Sequence, residues 1–284
     1  RESHFAHLGT WQKSADQAHE TRGKTLGIIG YGRIGSQLSV LAEALGMQVV
    51  FYDTEPKLSM GNAKPVQTLK ELLTMSDVVS LHVPQTPQTQ WMIGKQELAL
   101  MKPGSILMNA SRGKVVQIEA LADALSCGHL KGAAVDVFPK EPKSNQERFE
   151  SPLCGMPNVI LTPHIGGSTL EAQEQIGVDV ANKLIRYSDN GSTLGAVNFP
   201  EVVLPVHEDV IRIIHIHHNQ PGVMHEINAI CSKSNFNVAG QYLQTKGPLG
   251  YVVMDVASDK SLCLDVHKAL TNIEGTLRSR VLYG

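Results

Sequence analysis

No stretch of this sequence approaches the ~20 consecutive apolar residues that a membrane-spanning helix needs, and no signal peptide is visible. Neither acid nor base is in excess. The formal net charge is −2, with no long basic run and no lysine-rich helix face, so nothing points to a nucleic-acid or membrane partner. The four cysteines, Cys127, Cys154, Cys231 and Cys263, stand far apart and lack the spacing of a metal site or a redox motif. They are expected as reduced, mostly structural thiols of a cytosolic protein, with no metal site. Length is not lacking: 284 residues are enough for two domains, each with its own core.

The most informative stretch is LGIIGYGRIG, Leu26 to Gly35. An apolar run with strand composition ends on Gly30, Gly32 and Gly35 at G-x-G-x-x-G spacing, and Ser36 to Leu45 reads as an amphipathic helix. Gly30 permits a sharp turn, Gly32 lets a pyrophosphate approach the backbone, and Gly35 lets helix and strand pack closely. The helix N-terminus offers unpaired N–H groups to an anion. A second apolar run, Met47 to Tyr52, ends at Asp53, where an acidic side chain suits the ribose hydroxyls of a dinucleotide. No Arg or Lys stands beside Asp53 before Lys57, which favours NAD over NADP.

Strand candidates continue at Val78 to His82, Ser105 to Asn109, Gly132 to Val137 and Val159 to Leu161. Helices are expected at Thr68 to Met75, Lys95 to Met101 and Ile118 to Ser126. Short apolar strands alternating with helices imply a doubly wound parallel sheet covered on both faces. A long helix, Thr169 to Ser188, leaves it, and Asp189 to Ser192 with Pro200 and Pro205 marks a linker. Beyond lies β-α-β-β-α-β order: Val210 to His217, Val223 to Lys233, Val238 to Gln244, Tyr251 to Val256, Leu262 to Asn272 and Thr276 to Leu282. That is a small α+β ferredoxin-like domain, suited by shape to a ligand-binding or regulatory role.

Three ionisable residues lie at or just past strand ends, where ligands bind in open α/β sheets: Arg112 in NASRG, Glu141 in DVFPKEP and His164 in LTPHIGG. The trio suits a 2-hydroxy acid. Arg112 can grip a carboxylate with its forked guanidinium and polarise a neighbouring carbonyl. His164 can accept the hydroxyl proton as hydride leaves the same carbon, and Glu141 would orient the imidazole and favour its charged form.

These motifs, with LHVP at Leu81 to Pro84, AVDVF at Ala134 to Phe138 and PHIGGST at Pro163 to Thr169, resemble those of the D-isomer-specific 2-hydroxy-acid dehydrogenases, in the bacterial form with one C-terminal ACT domain. The resemblance runs essentially from end to end. It implies catalytic roles for Arg112, Glu141 and His164. It implies an NAD site of Gly30, Gly32, Arg33, Ile34, Gly35, Asp53, His82, Val83, Pro84, Ala110, Ser111, Arg112, Asp136, Gly166 and Gly167, with Asp136 near the nicotinamide amide. Trp11 matches a residue at a subunit and domain junction, and Lys13 one that reaches a substrate phosphate in a neighbouring active site. His217, Asn219 and Asn237 match positions that bind L-serine between paired ACT domains.

The activity so implied is NAD-dependent oxidation of D-3-phosphoglycerate to 3-phosphohydroxypyruvate, the first step of L-serine synthesis, with L-serine as feedback effector, in a cytoplasmic homotetramer held partly by ACT contacts. Alternatives are a dehydrogenase of another 2-hydroxy acid and a non-catalytic NAD-sensing interaction protein of the same fold. The chain opens on Arg1, and Glu2 to Ala18 reads like the later part of a helix, so the sequence is expected to begin inside a larger protein. The expected layout is a connecting helix over 1–22 from an absent half of the substrate domain and an NAD-binding domain over 23–166. A returning helix over 167–190, a linker over 191–208 and the ACT domain over 209–284 follow.

Overall fold

Short runs such as Val78–Leu81 and Ile106–Asn109 are mostly apolar, and in the computed structural model they form a parallel sheet whose cover is less complete than expected: Leu107 and Val135 are buried against helices, but on the opposite face Met108 is 41% and Ile160 68% exposed. The structure describes every residue except 1, 12, 16, 17, 206–209, 258–262 and 284. The expected junction of linker and last domain, and the expected helix start at Leu262, fall outside the described residues.

The chain divides into two compact units, Arg1–Thr169 and Leu170–Gly284. The first holds seven parallel strands: β1 (Thr25–Ile29), β2 (Gln48–Tyr52), β3 (Lys64–Pro65), β4 (Val78–Leu81), β5 (Ile106–Asn109), β6 (Gly132–Val135) and β7 (Val159–Leu161). Their order is β3-β2-β1-β4-β5-β6-β7, so the winding reverses between β1 and β4. Helices α2 (Arg33–Ala44), α3 (Leu69–Met75), α4 (Lys95–Leu100) and α5 (Ile118–Ser126) connect the strands. The edge pair β3, which contains a proline, carries too few apolar residues to be seen in the sequence. Thr68 caps α3 by accepting from the Glu71 N–H at 3.1 Å.

Two expectations shift. The first helix, α1, spans Glu2–His7 and does not extend to Ala18. It ends where Gly9 adopts φ +77°, and Trp11 beyond it is 87% exposed, so no apolar face is buried that would hold a longer helix. Helix α2 starts at Arg33, one turn before Ser36, because Gly32 is already its N-cap.

The second unit begins with α6 (Leu170–Asn190) and continues with an antiparallel sheet of β8 (Ile211–His218), β9 (Asn237–Lys246), β10 (Leu249–Ala257) and β11 (Thr276–Tyr283), in the order β11-β8-β10-β9. Strand alternation sends Ile211, Ile213, Val252 and Met254 to one face, under α7 (Val223–Lys233) and α8 (Cys263–Thr271). Ile214, Tyr251 and Val253 point to the other, where they meet Val202 and Leu204. Residues 191–205 thus form a strap over the sheet, with Ser192 and Thr193 buried. Arg212 ties the unit together. It grips Asp255 through two bonds of 2.6 and 2.8 Å and also donates to the Asn190 and Pro205 carbonyls at 2.9 and 3.0 Å. Tyr251 donates its hydroxyl to the Gly191 carbonyl at 2.5 Å.

Candidate active site

The pairing register puts Tyr52, Ile29, Leu81, Asn109, Val135 and Leu161 in one level row across six strands. Each strand runs the same way, so the next residue of each, Asp53, Gly30, His82, Ala110, Asp136 and Thr162, emerges along a single edge. The row crosses the reversal of winding, the place where a crevice opens in such sheets.

At that reversal Gly30 takes φ +92°, and a side chain there would press on the His82 carbonyl at 2.8 Å. A Cβ on Gly35 would collide with the Gly30 carbonyl oxygen, so this glycine seats α2 against the loop. Gly32 differs: a Cβ there meets nothing within 4 Å. The fold makes no demand for glycine at 32, yet the position heads a twelve-residue helix with no side-chain cap, leaving backbone N–H groups for an anion. Asp53 accepts from the Tyr31 N–H at 2.8 Å and the Glu55 N–H at 3.0 Å, which fixes its carboxylate at the end of β2. Lys57 is paired with Glu55 at 2.6 Å. His82 lies 2.9 Å from the Ser80 hydroxyl, and burial holds its ring below the ordinary histidine value.

Past β5, Asn109 shapes the NASRG turn. Its side chain accepts from the Ser111 N–H at 3.1 Å and hydroxyl at 2.9 Å and donates to the Arg112 carbonyl at 3.1 Å. Arg112 is exposed, with Nη1 donating to the Ser111 carbonyl at 2.6 Å. Gly113 lets this turn press against the Phe138 and Pro139 backbone, where any Cβ would clash. The neighbouring loop carries Glu141, whose Oε1 accepts from the Phe138 N–H at 3.0 Å while Oε2 lies 2.9 Å from His164 Nδ1. Burial pushes the Glu141 carboxyl up, but the bonds from His164 and Phe138 outweigh it and hold the group below its ordinary value. An ionised Glu141 makes His164 Nδ1 the donor, and Nε2, which no described residue bonds, is free to take a proton.

His164 adopts φ +55°, a left-handed conformation that its surroundings must impose. Asp136 does so. It accepts from the Thr162 hydroxyl at 2.5 Å and from the Ile165 and Gly166 N–H groups at 2.9 Å each, pinning the loop on both sides of the histidine. Burial again pushes the carboxyl up, and these three bonds bring it below the usual range. The resemblance implies a place for Asp136 near the nicotinamide amide, and its hydrogen bonds in this structure hold the histidine loop. This support, with that of Asn109 and Thr162, went unseen in the sequence, where an Asn before Ala-Ser was the one available signal of a side-chain-stabilised turn.

The structure therefore brings Glu141 and His164 into contact and puts Arg112 on the adjoining loop, with Val83, Pro84, Ser111 and Gly167 in the same set of strand-end segments. Lys13 is exposed and makes no ion pair with a described residue. His217 and Asn219 sit at one end of the second unit's sheet and Asn237 at the other: His217 pairs with Gly250 and Asn237 with Ala257 on β10. Seven residues at about 3.4 Å each separate those partners by roughly 24 Å.

Residues 2–166 match the family model for the D-isomer specific 2-hydroxyacid dehydrogenase, NAD binding domain. The chain belongs to this family. Residues 213–278 match the AHAS small subunit-like ACT domain. Relatives of this dehydrogenase chain include D-3-phosphoglycerate dehydrogenase of Escherichia coli K12, 59% identical over 98% of this chain and 68% of that protein. Its Haemophilus influenzae counterpart is 58% identical over 98% and 67%. Among solved structures, D-lactate dehydrogenase from Aquifex aeolicus, complexed with NAD and lactic acid, superposes with a TM-score of 0.57 at 34% identity, covering 66% of this chain and 60% of that one. The chain thus spans about two thirds of the length of its curated relatives. The glycine loop, the uncapped α2 N-terminus and Asp53 fit the NAD of this family.

Proposed function

We propose that this chain carries the NAD-dependent oxidation of D-3-phosphoglycerate to 3-phosphohydroxypyruvate, with L-serine as feedback effector. The observation that carries the reading is the Glu141–His164 pair on the strand edge that also holds the dinucleotide loop. Its high identity to D-3-phosphoglycerate dehydrogenases, against 34% to the lactate enzyme, supports the substrate. Bound NAD supplies a hydride acceptor. Arg112 takes the substrate carboxylate in its fork and polarises the carbon–oxygen bond. His164 Nε2 receives the hydroxyl proton while the C–H electron pair departs as hydride, leaving a ketone. Glu141 holds the imidazole and balances its positive charge. Lys13 would contact the substrate phosphate in a neighbouring copy. His217 and Asn219 of one copy and Asn237 of another would enclose serine, in a cytoplasmic homotetramer.

The test is NADH formation by the chain, alone and extended by the segment that precedes the matched region in the Escherichia coli relative. D-3-phosphoglycerate and D-lactate are compared, with and without L-serine. Preference for phosphoglycerate, lost by at least about a hundredfold in His164→Gln, supports the assignment. Equal use of lactate, or full activity of His164→Gln, refutes it.

A further inference from the structure

Two histidines on β8 face the helices of the second unit. His215 is fully buried and His217 is 2% exposed. His215 Nε2 lies 2.9 Å from the Thr276 hydroxyl and 3.3 Å from the Leu270 carbonyl. That hydroxyl reaches the same carbonyl at 3.1 Å, so with Nε2 as donor the hydroxyl can give its proton to the carbonyl and all three groups are satisfied, whereas a bare Nε2 would take that proton and leave the carbonyl without one. Nε2 of His215 therefore carries the hydrogen, and its Nδ1 is a bare acceptor. Nδ1 of His217 lies 3.3 Å away, and the hydrogen between the rings belongs to His217. The bare nitrogen of His217 is then Nε2. No described residue bonds it, and among the described residues the sealed side-chain atoms without a partner are Ser105 Oγ and Ser279 Oγ, so this nitrogen keeps a narrow access to solvent within a residue that is 2% exposed. It lies against Gly250, where a Cβ would collide with it, so the missing side chain is what gives the ring nitrogen its room.

Few charges touch the pair. His217 acts on His215 and His218 on His217, while burial is the larger cause holding both rings below the ordinary histidine value, His215 at about 4. β10 faces the pair with Gly250, β11 with Thr276 and α8 with the Leu270 carbonyl. On α8, His267 is engaged with the Ser279 carbonyl and Asp265 and Lys268 are exposed; on α7, His225 and Glu226 are exposed.

We propose that His215 is a positioning residue that locks His217 as the Nδ1–H tautomer with Nε2 outward, so that an amino-acid carboxylate binds there together with one proton from solvent. The inference rests on the reading of His217 as part of the effector site. A carboxylate brings no hydrogen to a bare nitrogen, so the lone pair of Nε2 must first bond a solvent proton. The resulting imidazolium keeps its Nδ1–H bond to neutral His215, which steadies the charge. The nearby N-terminus of α7, capped by Gly222 with no side-chain bond, favours the anionic end of the ligand.

Ring-nitrogen NMR on the ligand-free chain tests the lock directly: His215 should be the Nε2–H form and His217 the Nδ1–H form, and the reverse assignment overturns the proposal. His215→Leu should mix the His217 tautomers and weaken L-serine binding by about tenfold or more. His215→Gln, whose amide can donate to Leu270 and accept from His217, should restore both. Calorimetric titration of the chain with L-serine, in buffers of different ionisation enthalpy, should show uptake of about one proton per serine above neutral pH and a Kd rising about tenfold per pH unit. Binding without proton uptake overturns the carboxylate pairing. Absence of serine binding overturns the effector reading and the proton uptake with it, while the tautomers still decide the role of His215.

Discussion

The two sheets of this chain handle strand ends in opposite ways. In the parallel sheet every strand leaves through the same edge, so Asp53, Gly30, His82, Ala110 and Asp136 fall in one row without further adjustment. In the antiparallel sheet alternate strands leave through opposite edges, and His217 and Asn237 are kept apart by the length of β10. One architecture assembles a site from a single chain. The other leaves its end residues apart, and the proposed effector site would need a second copy to bring them together. Polar groups differ as well: the Glu141–His164 pair is open to solvent, whereas Arg212 and Asp255 are paired in the interior.

The contrast can be broken most severely at Asp255. Asp255→Ala leaves the Arg212 guanidinium buried without its carboxylate, and about 3–5 kcal/mol of the second unit's stability should disappear. Hydrogen exchange should show early opening of residues 211–283 while the glycine loop still binds NADH; uniform loss in both units would erase the distinction.

Acid provides the next test. His215 is held neutral, with a folded value of about 4 against 6.5 when unfolded, so between these pH values the unfolded chain binds the extra proton. Stability should therefore be lost as pH falls through that window, by on the order of 3 kcal/mol, and His215→Leu should flatten the dependence. Urea midpoints measured across this range by circular dichroism would show it.

Within the first unit, Gly35→Ala should cost about 1–3 kcal/mol through its clash with Gly30. Gly32→Ala should leave the thermal midpoint unchanged but weaken NADH binding about tenfold, or ~1.4 kcal/mol. Equal stability losses would remove the difference between a glycine kept for packing and one kept for a ligand. Tyr251→Phe, which frees the Gly191 carbonyl, should cost about 1 kcal/mol by thermal melting.

Much of the fold was legible because the strands of the first unit are short apolar runs bounded by glycine, asparagine or aspartate. The boundaries of β7 and α5 and that of α7 agree with the sequence reading residue for residue. The segment 191–205 was not legible as a strap, since its prolines and polar residues look like a linker until Val202 and Leu204 find the sheet. Of the candidate site, the ionisable trio and the glycine loop could be named from residue type and place. Their supports could not. The resemblance placed Asp136 near the nicotinamide, and the partners that tie it to the histidine loop lie 26 to 30 residues later, past a long loop and β7.

The sequence by itself determined the chemistry on offer: a glycine loop with an acid beyond it, an arginine, a glutamate and a histidine past strand ends, and a tail of β-α-β-β-α-β order. Those are local patterns, set by side-chain type and by the period of the backbone. The tertiary structure alone decided which nitrogen of His164 is free, why His164 can hold a left-handed backbone, and how His215 dictates the tautomer of His217. Such facts depend on hydrogen bonds between residues distant in the chain, and a hydrogen bond is settled by position and direction, which no residue carries alone.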